Sequence, residues 1–222
     1  MIVGSGMVAQ SMHGISVPDD VVIFAAGESN SRCRDAGRFQ RERQLLCGIR
    51  DSRLIVYFST ISALHERKTP YTEHKLAMEE LVRGGQHLIL RLPNLVGPCQ
   101  THYQLIPSLV EQVRRGAVTI HAGAVRDLLD VVDLARMLPS LLNACSNMTV
   151  NLSTGHYVPV DEIVNYIARL LNTSPAIRRV RVKGSDYPVV SMEKLASIID
   201  FELFGFGPAY YRDVLDRYVY QD

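Results

Sequence analysis

No excess of charge of either sign marks this sequence: Lys and Arg total 24 and Asp and Glu total 23 among 222 residues. A balance this close to zero, with no basic stripe, argues against a nucleic-acid partner or an anionic membrane surface. No apolar run reaches the length that spans a bilayer, and no basic segment precedes an apolar one at the N-terminus. Neither a membrane partner nor a cleaved leader is therefore expected. Cysteine is sparse: Cys33, Cys47, Cys99 and Cys145 are scattered, and no pair has zinc or redox spacing. They read as free thiols or small buried side chains of a cytoplasmic protein, with no metal centre. Internal repeats and low-complexity segments are lacking too. The length suffices for one sizeable core, or one domain with a small appendage.

What is present is an alternation of apolar runs and helical patterns. Strands are expected at Met1 to Val3, Val21 to Gly27, Ser52 to Phe58, Leu88 to Leu92, Val118 to His121, Met148 to Leu152 and Val180 to Val182. Between them fall a short helix after Gly6, a charged helix over Arg32 to Ile49, and a helix from Tyr71 closed by Gly84 and Gly85. An amphipathic helix over Leu105 to Arg115 has Pro107 in its first turn. Further helices are expected from Asp133, as N-terminal cap, to Leu142, over Val160 to Leu171, over Ser191 to Ile199, and over Tyr210 to Tyr220. Buried parallel strands read as near-continuous apolar runs, as Val21-Val22-Ile23-Phe24 does. The class is α/β: a doubly wound, Rossmann-like parallel sheet, shortened in one half, with a small C-terminal α/β lobe. Residues 1–98 form the shortened sheet region, and 99–222 complete the sheet and form the lobe.

Chemistry-bearing residues gather at predicted strand C-termini, where ligands bind in such sheets. Gly4-Ser5-Gly6-Met7-Val8-Ala9 has the form G-x-G-x-x-A. It is either a cradle for a pyrophosphate or a ligand-free turn, and the motif alone does not decide. Ala25, Ala26 and Gly27 close the second strand with residues small enough for a flat ligand to lie on the backbone. Ser59 and Thr60 close the third. Tyr71 and Lys75, four residues apart, share one helix face. An ammonium beside a phenol stabilises the phenolate, so Lys75 is expected to lower a pKa that is ordinarily near 10. The alternative is a half-buried Tyr beside a solvated Lys. Pro93 and Asn94 follow the fourth strand. The run from Arg32 to Arg43 reads as a solvated face. Asp19 and Asp20 lie in a turn ahead of the second strand, so no carboxylate stands where one usually holds an adenosine ribose.

Taken in order, IVGSGMVA, VVIFAAG, VYFST, PYTEHKLAMEELV, LRLPNLVGP, LIPSLVEQVRRG, VRDLLDVVDLARML and MTVNLSTGHYVPVDEIVNYIARLL resemble the extended short-chain dehydrogenase/reductase superfamily. The similarity is to its nucleotide-sugar epimerase/dehydratase branch and covers nearly the whole chain. One strand, one helix and a further strand that the family carries between the Gly-rich turn and the A-A-G strand are missing.

The resemblance implies a catalytic set of Thr60, Tyr71 and Lys75, with Ser59 and Ser62 as alternates to Thr60. It implies NAD or NADP held by Gly4, Gly6, Met7, Val8, Ala25, Ala26, Gly27, Ser59, Tyr71, Lys75 and Pro93. It implies a nucleotide-sugar partner met by Ser62, Asn94, His102 and Arg126, the last through a diphosphate that suits a guanidinium fork. An ion pair with Asp127 or Asp130 is the other use for Arg126. Ile61 stands where double epimerases carry a cysteine, and no Asp-Glu pair follows Thr60, which disfavours a dehydratase. The expected activity is a keto-sugar reductase or a C4 epimerase, and the family also implies a possible homodimer. The missing segment motivates a second reading, a non-catalytic nucleotide-sensing or scaffold protein.

Overall fold

The computed structural model describes residues 1–49, 53–144, 147–181 and 187–220. Ser52, Cys145 and Val182, part of the expectations above, lie outside the described residues. The chain opens with β1 (Ile2–Val3), α1 (Met7–Ser11), β2 (Val21–Phe24), α2 (Ala36–Gly48) and β3 (Leu54–Thr60). A single 3-10 turn over Ile61–Leu64 leads to α3 (Pro70–Arg83), β4 (His87–Leu92), β5 (Asn94–Val96) and α4 (Leu105–Arg114). Next come β6 (Ala117–His121), β7 (Val125–Arg126), β8 (Leu128–Asp130), α5 (Val131–Ala144), β9 (Met148–Asn151), β10 (Val158–Pro159) and α6 (Val160–Leu170). The last elements are β11 (Ala176–Val180), α7 (Glu193–Ala196), a 3-10 turn over Phe201–Phe204, and α8 (Tyr210–Tyr218).

The main sheet runs β1-β2-β3-β4-β9, and all its pairings are parallel. Successive side chains of a strand point to opposite faces, and β3 divides accordingly. Ile55 and Tyr57 join Phe24, Ile89, Leu46 of α2, and Met78 and Val82 of α3 on one face. Val56 and Phe58 join Ile23, Leu88, Leu90, Met12 and the α5 residues Leu134 and Leu138 on the other. This is the Rossmann-like sheet with helices on both faces that the alternating pattern predicts. A further core, built from α4, β6, α6 and α8, lies apart from these two. The shortening is visible in the strand order: among the described residues β1 stands at an edge and pairs only with β2.

Local sequence sets the helix that matters most. Thr69 caps α3 by accepting the Thr72 N–H, while Thr72 Oγ1 accepts the Thr69 N–H at 2.8 Å. Pro70 occupies the first turn, where its lost N–H is unneeded, and Arg83 sits in the last turn, which favours a cation. Two glycines are obligatory. Gly4 has φ +132°, and a Cβ there would lie 2.5 Å from the Ala25 carbonyl oxygen, so β1 and β2 meet closely at their ends. A Cβ on Gly97 would run into Val131 and Met7.

Several boundaries differ from expectation. Helix α2 begins at Ala36 rather than Arg32, because Asp35 is its cap, accepting from the Gly37 and Arg38 N–H groups. Asp133 does not cap α5. Asp130 accepts the Val132 N–H at 2.8 Å, whereas Asp133 accepts from Arg136 and the Tyr210 hydroxyl. The expected helix over Ser191 to Ile199 shrinks to Glu193–Ala196. The strand expected at Val180 lies earlier, at Ala176–Val180, where it pairs in parallel with β6.

Candidate active site

Thr60 ends β3, and its Oγ1 accepts the Ser62 N–H at 3.1 Å, capping the 3-10 turn that follows. The second residue of α3 is Tyr71, which is buried. Its phenol lies near the Thr60 hydroxyl, which favours the ionised form. The sheet therefore brings these two expected catalytic hydroxyls together. Burial raises the proton affinity of Tyr71 most, and the negative charge of Glu42 adds to it. The Thr60 hydroxyl offsets only part, so the phenol titrates well above its ordinary value.

The ammonium of Lys75 is engaged within the protein. It is buried and donates inward, to Glu42 Oε1 at 3.1 Å, to the Tyr57 hydroxyl at 3.1 Å and to the Phe58 carbonyl at 3.4 Å. The Tyr71 phenol is raised rather than lowered, by burial first and by the Glu42 charge second. Sequence reasoning missed Glu42, placing it on a solvated face, yet the residue is only 1% exposed. Its Oε2 accepts the Glu28 N–H at 2.6 Å and lies 2.9 Å from His74 Nε2, and its Oε1 also accepts the Tyr57 hydroxyl at 2.7 Å. Burial alone would push this carboxyl up. The Lys75 charge and the hydrogen bonds from His74, the Glu28 N–H and Tyr57 outweigh it and bring the pKa from 4.5 to about 2. One signal was available: Phe39, Glu42 and Leu46 are spaced three and four apart, hence on one helix face.

The ends of β1 and β2 carry the remaining expected cofactor residues. Gly27 touches the Lys75 pair directly, since a Cβ there would lie 2.7 Å from Nζ and 3.0 Å from Glu42 Oε1. Ala25 and Ala26 are half-buried beside it, as are Met7 and Val8 on α1, and the space above Gly6 is open. Ser59 is engaged within the protein. Its hydroxyl donates to the buried Glu79 at 2.6 Å, where Arg91 also binds, so it faces the α3–β4 packing. Half-buried Pro93 links β4 to β5.

On the opposite side of Tyr71 in the sequence order of strands lies the β5–β7 region. The Asn94 amide donates to the Asp127 carbonyl at 3.3 Å and to the Tyr187 hydroxyl at 3.4 Å. The Arg126 guanidinium donates to the Val125 carbonyl at 2.6 Å and lies 5.6 Å from the centre of the Tyr187 ring. It makes no carboxylate pair among the described residues. Asp127 is engaged by the Thr154 N–H and hydroxyl, and Asp130 by Arg217, Tyr218 and the Val132 N–H. Tyr187 is therefore a further aromatic residue of this region that no motif marked. Ser62 is half-buried, and His102 is exposed, with its ring edge-on to Tyr103. Among the described residues no group of three metal-capable side chains converges, and no helix is long and apolar enough to cross a membrane.

The segment from the end of β3 to the loop after β9 contains Thr60, Tyr71, Lys75, Pro93, Asn94 and Arg126. Residues 58–153 match the model of the NAD dependent epimerase/dehydratase family. The chain thus resembles that family through the part that carries the candidate site. No curated protein matches it at the sequence level. Among solved structures, RMD from Pseudomonas aeruginosa, complexed with NADPH, is 20% identical with a TM-score of 0.67, covering 89% of this chain and 80% of that one. UDP-N-acetylglucosamine 4-epimerase from Methanobrevibacter ruminantium M1, in complex with UDP-N-acetylmuramic acid, is 15% identical with a TM-score of 0.69, covering 90% and 75%. UDP-glucose 4-epimerase from Thermus thermophilus, in complex with NAD, is 21% identical with a TM-score of 0.61, covering 89% and 77%. At these identities the likeness to solved structures is one of fold.

Proposed function

We propose that this protein is an NAD(P)-dependent oxidoreductase of the short-chain dehydrogenase type that acts on a nucleotide-linked sugar, as a keto-sugar reductase or a C4 epimerase. The observation that carries the reading is the nearness of Thr60, at the C-terminal end of β3, to the buried Tyr71 phenol, with the Lys75 ammonium lying under the Gly27 backbone. The residues present fit the nicotinamide half of such a cofactor: small backbone-exposing residues at Ala25 to Gly27, a hydroxyl pair and a buried cation. They fit the adenosine half less well, because β1 has no strand beyond it among the described residues and no carboxylate ends β2. Gly4, Gly6, Met7 and Val8 would meet the pyrophosphate, Pro93 would back the nicotinamide ring, and the bound cofactor supplies the hydride.

The chain's own residues do the rest. Thr60 holds the sugar oxygen by a hydrogen bond. Tyr71 gives its phenolic proton to that oxygen as the carbonyl becomes an alcohol. A phenol gives its proton best when its pKa lies near the working pH, so the raised hold of buried Tyr71 on its proton opposes donation. Arg126, with no carboxylate partner among the described residues, and Asn94 orient the nucleotide-linked end, the guanidinium on diphosphate oxygens. The test is binding of NADH and NADPH to the purified protein, followed by absorbance loss with keto-sugar nucleotides and with Tyr71→Phe as control. Cofactor that stays bound through purification separates an epimerase from a reductase. Absence of binding by either nucleotide at millimolar concentration removes the hydride donor and the proposal with it.

One observation favours a second reading, a non-catalytic nucleotide-sensing or scaffold protein. All three Lys75 donors are engaged inside the protein. Nucleotide binding without any turnover would support it.

A further inference from the structure

Glu42 is a buried carboxylate that the hydride transfer does not use. It joins three separate pieces of the site: the loop after β2 through the Glu28 N–H, β3 through Tyr57, and α3 through His74 and Lys75. Three of these groups close a ring. Lys75 donates to Glu42 and to the Tyr57 oxygen, and the Tyr57 hydroxyl donates to Glu42. The ring fixes the ammonium from two directions and leaves it little freedom to rotate. Gly27 supplies the matching surface, since a Cβ there would lie 2.7 Å from the ammonium and 3.0 Å from Glu42 Oε1, so the pair as placed needs a bare backbone.

We propose that Glu42 is a positioning residue for Lys75, fixing the ammonium against the Gly27 backbone and so setting the field in which Tyr71 works. The proposal rests on the reading of this region as a cofactor site, in which the buried Lys75 acts through its charge. The charged and titratable groups around Glu42 are Glu28 and Arg38, Tyr57 of β3, and Tyr71, His74 and Lys75 of α3. Arg38 is engaged with Glu28, whose two oxygens face it. The counter-charge at Lys75 therefore comes from Glu42. Its charge also raises the hold of Tyr71 on its proton, as does that of Glu28.

Glu42→Gln keeps the volume and removes the charge; Tyr57→Phe, which opens the ring but keeps the carboxylate, serves as a second variant should the first not fold. Two readouts on the ligand-free protein are independent of turnover. In protein carrying nitrogen-15 lysine, with Lys75→Arg for assignment, the wild-type ammonium is expected as a slowly exchanging signal at neutral pH. It is expected to broaden away in both variants. In the tyrosine absorbance titration, the late-ionising phase that Tyr71→Phe removes is expected to move to lower pH in Glu42→Gln, because a negative charge near Tyr71 is gone. A third readout, the NADH or NADPH dissociation constant, is expected to weaken about tenfold or more with a misplaced cation. An unchanged ammonium signal together with an unchanged tyrosine titration in Glu42→Gln overturns the proposal. If wild type binds neither nucleotide, the hydride-transfer reading fails, and the ammonium signal still decides whether Glu42 fixes Lys75.

Discussion

Replacing Lys75 by Met removes the cation and leaves the Glu42 carboxylate in a site where the two side chains are 3% and 1% exposed. Breaking one side of a buried pair costs about 3–5 kcal/mol, because the remaining charge is left uncompensated. Glu42 keeps three of its four donors, from Glu28, Tyr57 and His74, so the lower end applies, about 3 kcal/mol. For a chain of this size that is a drop in Tm of about 6–12 °C. The double variant Lys75→Met with Glu42→Gln removes both charges and is expected to recover at least about 1 kcal/mol relative to the sum of the singles. The pH dependence has a definite sign. The folded pKa of Glu42 is depressed from 4.5 to about 2, so its contribution is full above 4.5 and is lost as pH falls through the folded value. Between 4.5 and pH 3 the wild type loses about 2 kcal/mol, at about 1.4 kcal/mol per unit, that the Lys75→Met variant does not have to lose. The deficit of the variant in urea melts is thus expected to narrow from pH 7 to pH 3. A deficit that is the same at both pH values, or a double variant that equals the sum of the singles, refutes the reasoning.

Three further outcomes follow from the site and its supports. Tyr71→Phe should lower turnover of a keto-sugar nucleotide about 10²- to 10⁴-fold, the usual contribution of general acid catalysis, with a circular dichroism spectrum like wild type. Arg126→Ala should raise KM for the nucleotide sugar about 10- to 100-fold, as expected for losing a charge-assisted hydrogen bond worth about 1.5–3 kcal/mol, while the NADH dissociation constant measured by calorimetry stays put. Gly4→Ala should destabilise the fold by about 1–3 kcal/mol in a denaturant titration, because a side chain is strained at that φ and would also meet the Ala25 carbonyl.

Most of the sheet was legible because parallel strands are buried on both faces. Val21 to Phe24 is apolar at every position, and all four residues are buried. The junction of Thr60 with Tyr71 was legible for a similar reason: strand ends and helix starts are marked by small, polar and capping residues. Glu42 was not legible as a buried group. Arg38, Arg41 and Arg43 surround it in sequence, and local charge density looks the same whether one carboxylate points inward or none does. Only its alignment with Phe39 and Leu46 separates it from its neighbours, and a carboxylate goes to such a position only when donors from elsewhere meet it. Those donors, Tyr57 and Lys75, are 15 and 33 residues away. The direction of Lys75 was misread for the same reason, since helical spacing puts it on the face of Tyr71 but does not say which acceptor its flexible stem reaches. Tyr187 was invisible because its partners Asn94 and Arg126 are distant in sequence.

The edge position of β1 has a consequence for how the molecule survives among copies of itself. A strand with a free side offers a row of backbone donors and acceptors on which another chain can zip. Here that row is two residues long, Ile2 and Val3, and both are only partly buried. So short a ledge gives a visiting strand too little to hold, and Gly4 then turns the backbone toward Ala25 at a φ no extended strand adopts. The trimmed sheet stops in a stub, which is one of the ways natural sheets keep an open side from becoming a template.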